Sequence, residues 1–217
     1  MSEATQKSII VLGASYAAAW SLPPIAGRTV VNKGVGGQQT WQLAERFDRD
    51  VVRERPEAVL IWGHVNDLFN ASEGAVDVAV ARARASFREM LRRARAAGIE
   101  PILATEVPIG GTGGWRDTLS SWTSWLRGKS SYQDQITRHV ASLNGWLREV
   151  AAEDGALLLD LHSVLMDSAG RRRPEYSQPD GSHITPRGYA ALTSYAVPIL
   201  EQHFRAQRRA GQRDQAK

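Results

Sequence analysis

Short apolar runs alternate with long amphipathic segments along the chain. The apolar runs are continuous and rich in β-branched residues, as expected of strands that are buried on both faces of a parallel sheet. The long segments repeat apolar residues at steps of three and four, which is the period of an amphipathic helix. Five strand–helix repeats therefore predict an α/β fold with helices on both faces of a parallel sheet. The predicted strands are 8–13, 28–32, 57–62, 100–107 and 156–161, and the predicted helices are 16–20, 39–53, 73–97, 132–153 and 186–205.

The chain is predicted to form a single domain, residues 1–217. Its length and its 42% hydrophobic content suffice to bury a core without disulfides. The strand and helix pattern covers about residues 8–204, with no internal repeat and no linker. Two segments depart from this pattern. One is a Trp- and Gly-rich insertion at 108–131, and the other is a basic tail at 205–217 that we expect to be disordered.

Composition and charge narrow the classes of function. The chain has no cysteine, which excludes a disulfide scaffold, a thiol nucleophile and a Cys-ligated metal. Residues 1–15 contain no long apolar stretch, so we expect no signal peptide, no membrane span and a cytoplasmic location. The net charge is +4, and the arginines of helix 73–97 alternate with Ala and Glu, as on a solvated face. Since aromatics do not interleave with them, we expect no nucleic-acid partner.

The first candidate chemistry lies in the run Asp180-Gly-Ser-His183, just before the last predicted helix. An Asp and a His three residues apart in a Gly-containing turn can bind each other. The carboxylate then fixes the imidazole tautomer and leaves the other ring nitrogen free to take a proton from a nucleophile. The alternative is a solvated turn with a stray His, which explains most isolated patterns of this kind.

Three further candidates follow the first three predicted strands. Ser15 could be a nucleophile or a small residue in a tight turn, and the glycines around Gly37 could expose a backbone N–H or only form a turn. Asn66 could donate its side-chain amide to an oxyanion or cap a helix. A dinucleotide-binding loop after the first strand is disfavoured, because the further glycines and the acidic residue that it needs are missing. Since the carboxyl ends of parallel strands share one edge, we expect these loops to lie together.

In their order and placement, the blocks LGAS, NKGVGGQQT, WGHVND and DGSHITPRGY resemble the four blocks of the SGNH (GDSL-type) hydrolase family. The resemblance covers about residues 8–204. It implies a three-layer α/β/α sandwich with a five-stranded parallel sheet, the flavodoxin-like SGNH hydrolase fold. It implies no metal and no organic cofactor.

Position by position, the resemblance implies a role for each candidate. Ser15 would be the nucleophile, His183 the general base and acid, and Asp180 the residue that orients His183. The backbone N–H groups of Ser15 and Gly37 and the side chain of Asn66 would form the oxyanion hole.

The sequence departs from the family pattern at two places. The usual Asp before the nucleophile is Ala14, and two residues instead of one separate Gly63 from Asn66, so that His64 stands where the family tends to have Gly.

The expected function is that of a serine hydrolase acting on small-molecule esters, either a short-chain acyl ester or an acetyl ester of a carbohydrate or small metabolite. An acyltransferase with the same triad and a catalytically inactive SGNH-like binding protein remain alternatives. The oligomeric state is left open. Substrate contacts are expected from a side chain close to Asn66 in the WGHVND block and from the Trp-rich insertion. The tryptophans of the insertion could equally pack it onto the rest of the domain. The residues are His64, Trp115, Trp122 and Trp125.

Overall fold

A computed structural model describes residues 7–72, 74–107, 129–168 and 170–214 of the chain. Side chains are described from Ile136 in the helix that follows the insertion, and up to Gln212 in the last helix. Most of the Trp-rich insertion, including Trp115, Trp122 and Trp125, lies outside the described residues.

The described strands form a five-stranded parallel sheet, which confirms the predicted fold class. The strand order is β2-β1-β3-β4-β5. β1 and β3 lie in its interior, and every residue of β3 is buried, as their continuous apolar runs predict. The strands are β1 (Ser8–Gly13), β2 (Thr29–Gly34), β3 (Ala58–Trp62), β4 (Glu100–Ala104) and β5 (Leu157–Leu159).

In the part of the chain that the structure describes, the α-helices follow the predicted pattern with two additions. α3 and α6 are five residues long, too short to show a helical period in the sequence. The helix predicted at 39–53 ends early and continues as a π-helical segment, Asp48–Val52. Among the described helices, none is both long and apolar enough to cross a membrane. The α-helices are α1 (Ser15–Ala18), α2 (Thr40–Glu45), α3 (Val65–Phe69), α4 (Val76–Ala96), α5 (Lys129–Asp154), α6 (Leu161–Leu165) and α7 (Pro186–Asp214).

The end of the chain differs from the prediction. We expected disorder from residue 205, but α7 continues to Asp214. Contacts with the body hold this extension, since Gln207 donates to Glu100 Oε1 at 2.8 Å and Arg208 donates to the Ala26 carbonyl at 2.9 Å. The expectation of a disordered tail is therefore wrong for residues 205–214, because these side chains bind groups that are distant in the sequence.

The sheet topology determines where a ligand can bind. In a 2-1-3-4-5 sheet the chain leaves β1 towards one edge, where β2 lies, and leaves β3 towards the other edge, where β4 lies. This reversal opens a crevice at the carboxyl ends of β1 and β3. The end of β1 is tightly packed there, because a Cβ on Gly13 would lie 2.0 Å from the Trp62 carbonyl oxygen. Only glycine fits this contact, and it brings the loops after β1 and β3 next to each other.

Candidate active site

A cleft of about 420 Å³ opens at the carboxyl end of the sheet. It brings together all five residues predicted for the triad and the oxyanion hole, although they come from four separate loops. The described residues that line it are Ser15, Tyr16, Gly36, Gly37, Val65, Asn66, Phe69, Asp180, Ser182 and His183. The expectation that these loops meet at one edge is confirmed, while the role of each residue stays a prediction.

Asp180 binds both the ring and the backbone of the loop that carries His183. Its Oδ2 lies 2.5 Å from His183 Nδ1, and its Oδ1 accepts the backbone N–H groups of Ser182 and His183, each at 2.9 Å. Asp180 therefore forms the turn and also binds the imidazole, so His183 is not a stray side chain on that turn. With Nδ1 directed at the carboxylate, Nε2 is the ring nitrogen available as a base.

The Asp180 carboxyl is acidic in this setting. Burial alone would raise its pKa, but the hydrogen bonds from the His183 backbone, the His183 ring and the Ser182 backbone outweigh burial and lower the pKa to about 2. Asp180 is thus ionised at neutral pH. An ionised partner stabilises the imidazolium that forms when His183 takes a proton.

Ser15 is the first residue of α1; β1 ends at Gly13, and Ala14 between them is the N-cap of the helix. The first N–H groups of a helix have no partner within the helix, so the Ser15 N–H is suited to bind an anion. Gly37 faces the same cleft from the loop between β2 and α2. Its φ of +76° belongs to the left-handed region, where glycine is favoured and where the backbone can present its N–H without a side chain in the way.

Asn66 lies in the first turn of α3 and is fixed to the Gly37 loop. Its Nδ2 donates to the Gln38 carbonyl at 2.9 Å. Because an amide NH₂ carries two hydrogens, one stays available for a substrate oxygen. The next residue, Asp67, is fully buried and accepts both the backbone N–H and the hydroxyl of Thr40 at 2.8 Å. These bonds hold α2 and α3 together, and with them the two loops that carry Gly37 and Asn66.

Arg172 and Tyr16 bind the backbone of the loop that carries His183. Arg172 is buried and donates to the carbonyls of Ser182 and His183 at 3.0 and 3.1 Å. It also donates to the Tyr16 hydroxyl at 2.7 Å, and that hydroxyl donates to the Ser182 carbonyl at 2.6 Å. Burial raises the pKa of Tyr16 to about 12, so the hydroxyl stays protonated and remains a donor. Since Tyr16 follows Ser15, this network connects the loop of the base to that of the nucleophile.

The sequence did not predict this network. Arg172 lies in a run of three arginines, and no local pattern distinguishes it from its exposed neighbours Arg171 and Arg173. Its partner Tyr16 lies 156 residues away in the chain. Only the position of Tyr16 directly after a candidate nucleophile could have drawn attention to it.

The structure does not support His64 as a substrate contact. His64 is only 2% exposed, and its Nε2 lies 3.2 Å from Asn144 Oδ1 of α5, away from the described walls of the cleft. His64 is the N-cap of α3, and its ring lies in the core, where it packs edge-on against Phe87. The prediction for Trp115, Trp122 and Trp125 stays a prediction.

Comparison with known proteins shows which sequences and folds the chain resembles. The sequence model of the GDSL-like lipase/acylhydrolase family matches residues 11–191. A curated relative, the uncharacterized lipoprotein YqeF of Bacillus subtilis (strain 168), is 26% identical over 166 residues, which make up 73% of this chain and 68% of the relative.

Solved structures share the fold. A proposed lipolytic protein of the G-D-S-L family from Desulfitobacterium hafniense DCB-2 superposes with a TM-score of 0.70 at 23% identity, covering 90% of this chain and 100% of the other. A catalytic mutant of Axe2, an acetylxylan esterase from Geobacillus stearothermophilus, gives a TM-score of 0.59 at 18% identity, covering 87% and 91%. At these identities the likeness establishes the fold.

Proposed function

The chain belongs to the GDSL-like lipase/acylhydrolase family, and on this premise we propose that it is a serine hydrolase that cleaves carboxylic esters through Ser15, His183 and Asp180. The observation that carries the proposal is the Asp180–His183 pair in the same cleft as Ser15. The Nδ1–H of His183 donates to Asp180, which leaves Nε2 as the proton acceptor. A hydroxyl, a base and a carboxylate in this relation form a nucleophile, its activator and the group that orients the activator.

The reaction proceeds in two halves. Ser15 Oγ attacks the ester carbonyl while His183 Nε2 takes the hydroxyl proton, and the imidazolium then gives that proton to the departing alkoxide. Water attacks the acyl-enzyme with His183 again as the base, which releases the acid and regenerates Ser15. In both halves the ionised Asp180 stabilises the positive charge on the imidazole.

Three donors are available to hold the oxyanion. They are the N–H of Ser15 at the start of α1, the N–H of Gly37 and the amide of Asn66, all at the wall of the cleft. Each donor of this type contributes about 3–4 kcal/mol of transition-state stabilisation. Because the Asn66 amide is already tied to the Gln38 carbonyl, it needs little rearrangement when the charge develops.

A short acyl group fits the described cleft best. Its volume of about 420 Å³ lies in the lower part of the range for ligand pockets, and Tyr16, Val65 and Phe69 contribute apolar surface to it. We therefore favour acetyl or other short acyl esters, carried by a carbohydrate or a small metabolite. The acetylxylan esterase among the structural neighbours motivates the carbohydrate as the first substrate class to test.

Hydrolysis of p-nitrophenyl acetate by the wild type and by Ser15→Ala tests the proposal. We expect the wild type to turn over and Ser15→Ala to fall to the uncatalysed rate. Ser182 is the competing hydroxyl, since its Oγ lies 3.2 Å from His183 Nδ1, the nitrogen already bound to Asp180. Ser182→Ala should lose less than about 10-fold, and Ser21→Ala, an exposed serine outside the cleft, should match the wild type. Full activity in Ser15→Ala would refute the assignment.

Water, rather than a second substrate, is the proposed acyl acceptor. The His183 side chain is 51% exposed, so bulk water reaches the base. Adding a xylooligosaccharide to the p-nitrophenyl acetate reaction separates the two outcomes. Free acetate as the main product supports a hydrolase, whereas acetylated sugar as the main product would make the protein an acyltransferase.

We also propose a cytoplasmic location, as the composition predicts. Fractionation of cells that express the full protein tests it, with the soluble fraction as the expected one. Recovery in the membrane fraction would contradict it and would agree instead with the name of the B. subtilis relative, a lipoprotein.

A further inference from the structure

A buried carboxylate binds the backbone of the loop that carries Asn66. Glu106 follows β4 and is only 1% exposed. Its Oε2 accepts the N–H of His64 at 2.7 Å and that of Val65 at 3.2 Å, and its Oε1 accepts the N–H of Val107 at 3.1 Å. A charged acceptor makes such bonds stronger than a neutral one does, and burial keeps water from replacing them.

Asn144 of α5 fixes Glu106 and His64 in the same place. Its Nδ2 donates to the Glu106 carbonyl at 2.8 Å, and its Oδ1 accepts the Glu106 N–H at 2.7 Å. Since Oδ1 is an acceptor, the His64 Nε2 at 3.2 Å from it must carry the hydrogen. The side-chain amide of Asn144 therefore fixes the backbone of Glu106 and the tautomer of His64. It also connects both residues to α5.

The bonds to Glu106 act where α3 begins. His64 is the N-cap of α3 and Val65 its first residue, so Oε2 satisfies two backbone donors immediately before Asn66. Asp67, the residue after Asn66, is held by Thr40. A carboxylate contact therefore lies on each side of Asn66: Glu106, which follows β4, binds the backbone before it, and Asp67, the residue after it, binds Thr40 of α2.

Glu106 also lies close to the point where the loops after β1 and β3 meet. A Cβ placed on Gly63 would lie 3.5 Å from the Cβ of Ala14 and 4.0 Å from Glu106 Oε2. The Glu106 carboxylate is therefore near the loop that leads to Ser15 as well as the loop that leads to Asn66.

We propose that Glu106 is a positioning residue for the hydrolytic site: it fixes the start of α3 so that Asn66 meets the oxyanion. The inference rests on the proposed ester hydrolysis. It predicts an effect on the transition state more than on substrate binding, because the donor geometry matters most when the negative charge develops. A displacement of about 1 Å in such a group can lower the rate about 10²-fold.

Glu106→Gln keeps the size of the side chain and removes the charge, and its NH₂ would have to face a backbone N–H. We expect kcat for p-nitrophenyl acetate to fall about 10- to 100-fold with KM within about 3-fold of the wild type. In an Asn66→Ala background the same change should cost less than about 3-fold further, since both changes damage one function. Glu100→Gln is the matched control at the other end of β4, where Glu100 binds His203 and Gln207, and it should keep the wild-type kcat. An unchanged kcat in Glu106→Gln, or an equal loss in both backgrounds, would overturn the proposal.

Amide hydrogen exchange of the segment 63–69 tests positioning without any substrate. Glu106→Gln should speed the exchange of this segment at least about 10-fold, and Glu100→Gln should leave it unchanged. Unchanged exchange in Glu106→Gln would also overturn the proposal. If the wild type hydrolyses no ester, the proposed function fails, and exchange still decides whether Glu106 holds α3.

Discussion

Replacing Asp180 with Asn perturbs the orientation of His183 and little else. The Asn oxygen can still accept the two backbone N–H groups that Asp180 Oδ1 accepts at 2.9 Å, so the turn can persist. Its NH₂ would then face His183 Nδ1, which approaches the carboxylate to 2.5 Å in the wild type. Two donors cannot meet, so the imidazole must carry its hydrogen on Nε2. A ring in that tautomer cannot accept the Ser15 proton.

The size of the effect follows from this change of tautomer and from solvent exposure. In buried triads the Asp→Asn change costs about 10⁴-fold in kcat, which is about 5 kcal/mol of transition-state stabilisation. Here the side chains of Asp180 and His183 are 39% and 51% exposed. Water can solvate the imidazolium in part, so we expect about a 10³-fold loss.

The assay compares kcat for p-nitrophenyl acetate at pH 7 with thermal unfolding of the same proteins. Asp167→Asn is the matched control, because Asp167 also accepts a backbone N–H, that of Arg171 at 2.9 Å, but does not line the cleft. We expect the melting temperature of Asp180→Asn to stay within about 3 °C of the control. A folded Asp180→Asn with less than about 5-fold loss of kcat would show that Asp180 does not orient the base.

Other changes test the remaining parts of the site. Asn66→Ala should lower kcat about 10²- to 10³-fold with little change in KM, measured by steady-state kinetics, and an unchanged kcat would remove it from the oxyanion hole. Arg172→Met removes the charged donor to the carbonyls of Ser182 and His183 and to the Tyr16 hydroxyl, and it should lower the free energy of unfolding by about 2–4 kcal/mol, measured by urea denaturation; a loss below about 1 kcal/mol would contradict the network. Gly13→Ala should prevent stable folding, whereas Gly145→Ala, where a Cβ meets nothing within 4 Å, should raise stability by up to about 1 kcal/mol. The pKa of Asp180 is lowered in the folded state to about 2, so its contribution to stability should be constant above about pH 5 and decline as the pH falls towards 2, visible as a shrinking difference in melting temperature between wild type and Asp180→Asn.

The sheet could be predicted because its signal is local. β1 and β3 are buried on both faces, and each has a continuous apolar run that ends at the observed end of the strand. The short helices could not be predicted this way. α3 has only five residues, and hydrogen bonds to Thr40 and Glu106, distant in the chain, hold it in place. The same reason explains the end of α7, whose tail was expected to be disordered.

The candidate site could be predicted as far as its residues follow strands or lie close together in the chain. Asp180 and His183 are three residues apart, and Ser15 and Asn66 each follow a predicted strand. The residues that hold these side chains in place have no comparable signal in the sequence. Arg172 and Glu106 act over 156 and 42 residues, respectively, and neither lies in a recognisable motif. His64 was assigned to the substrate because it borders Asn66, but its ring lies in the core.

Labelling with a fluorophosphonate, followed by mass mapping of the modified peptide, tests the central claim most directly. The probe reacts with an activated serine and forms a stable adduct, so no natural substrate is needed. We predict one adduct per chain, on Ser15, which is absent in Ser15→Ala and slowed about 10³-fold or more in His183→Ala. An adduct on another residue, or undiminished labelling of Ser15→Ala, would contradict the account.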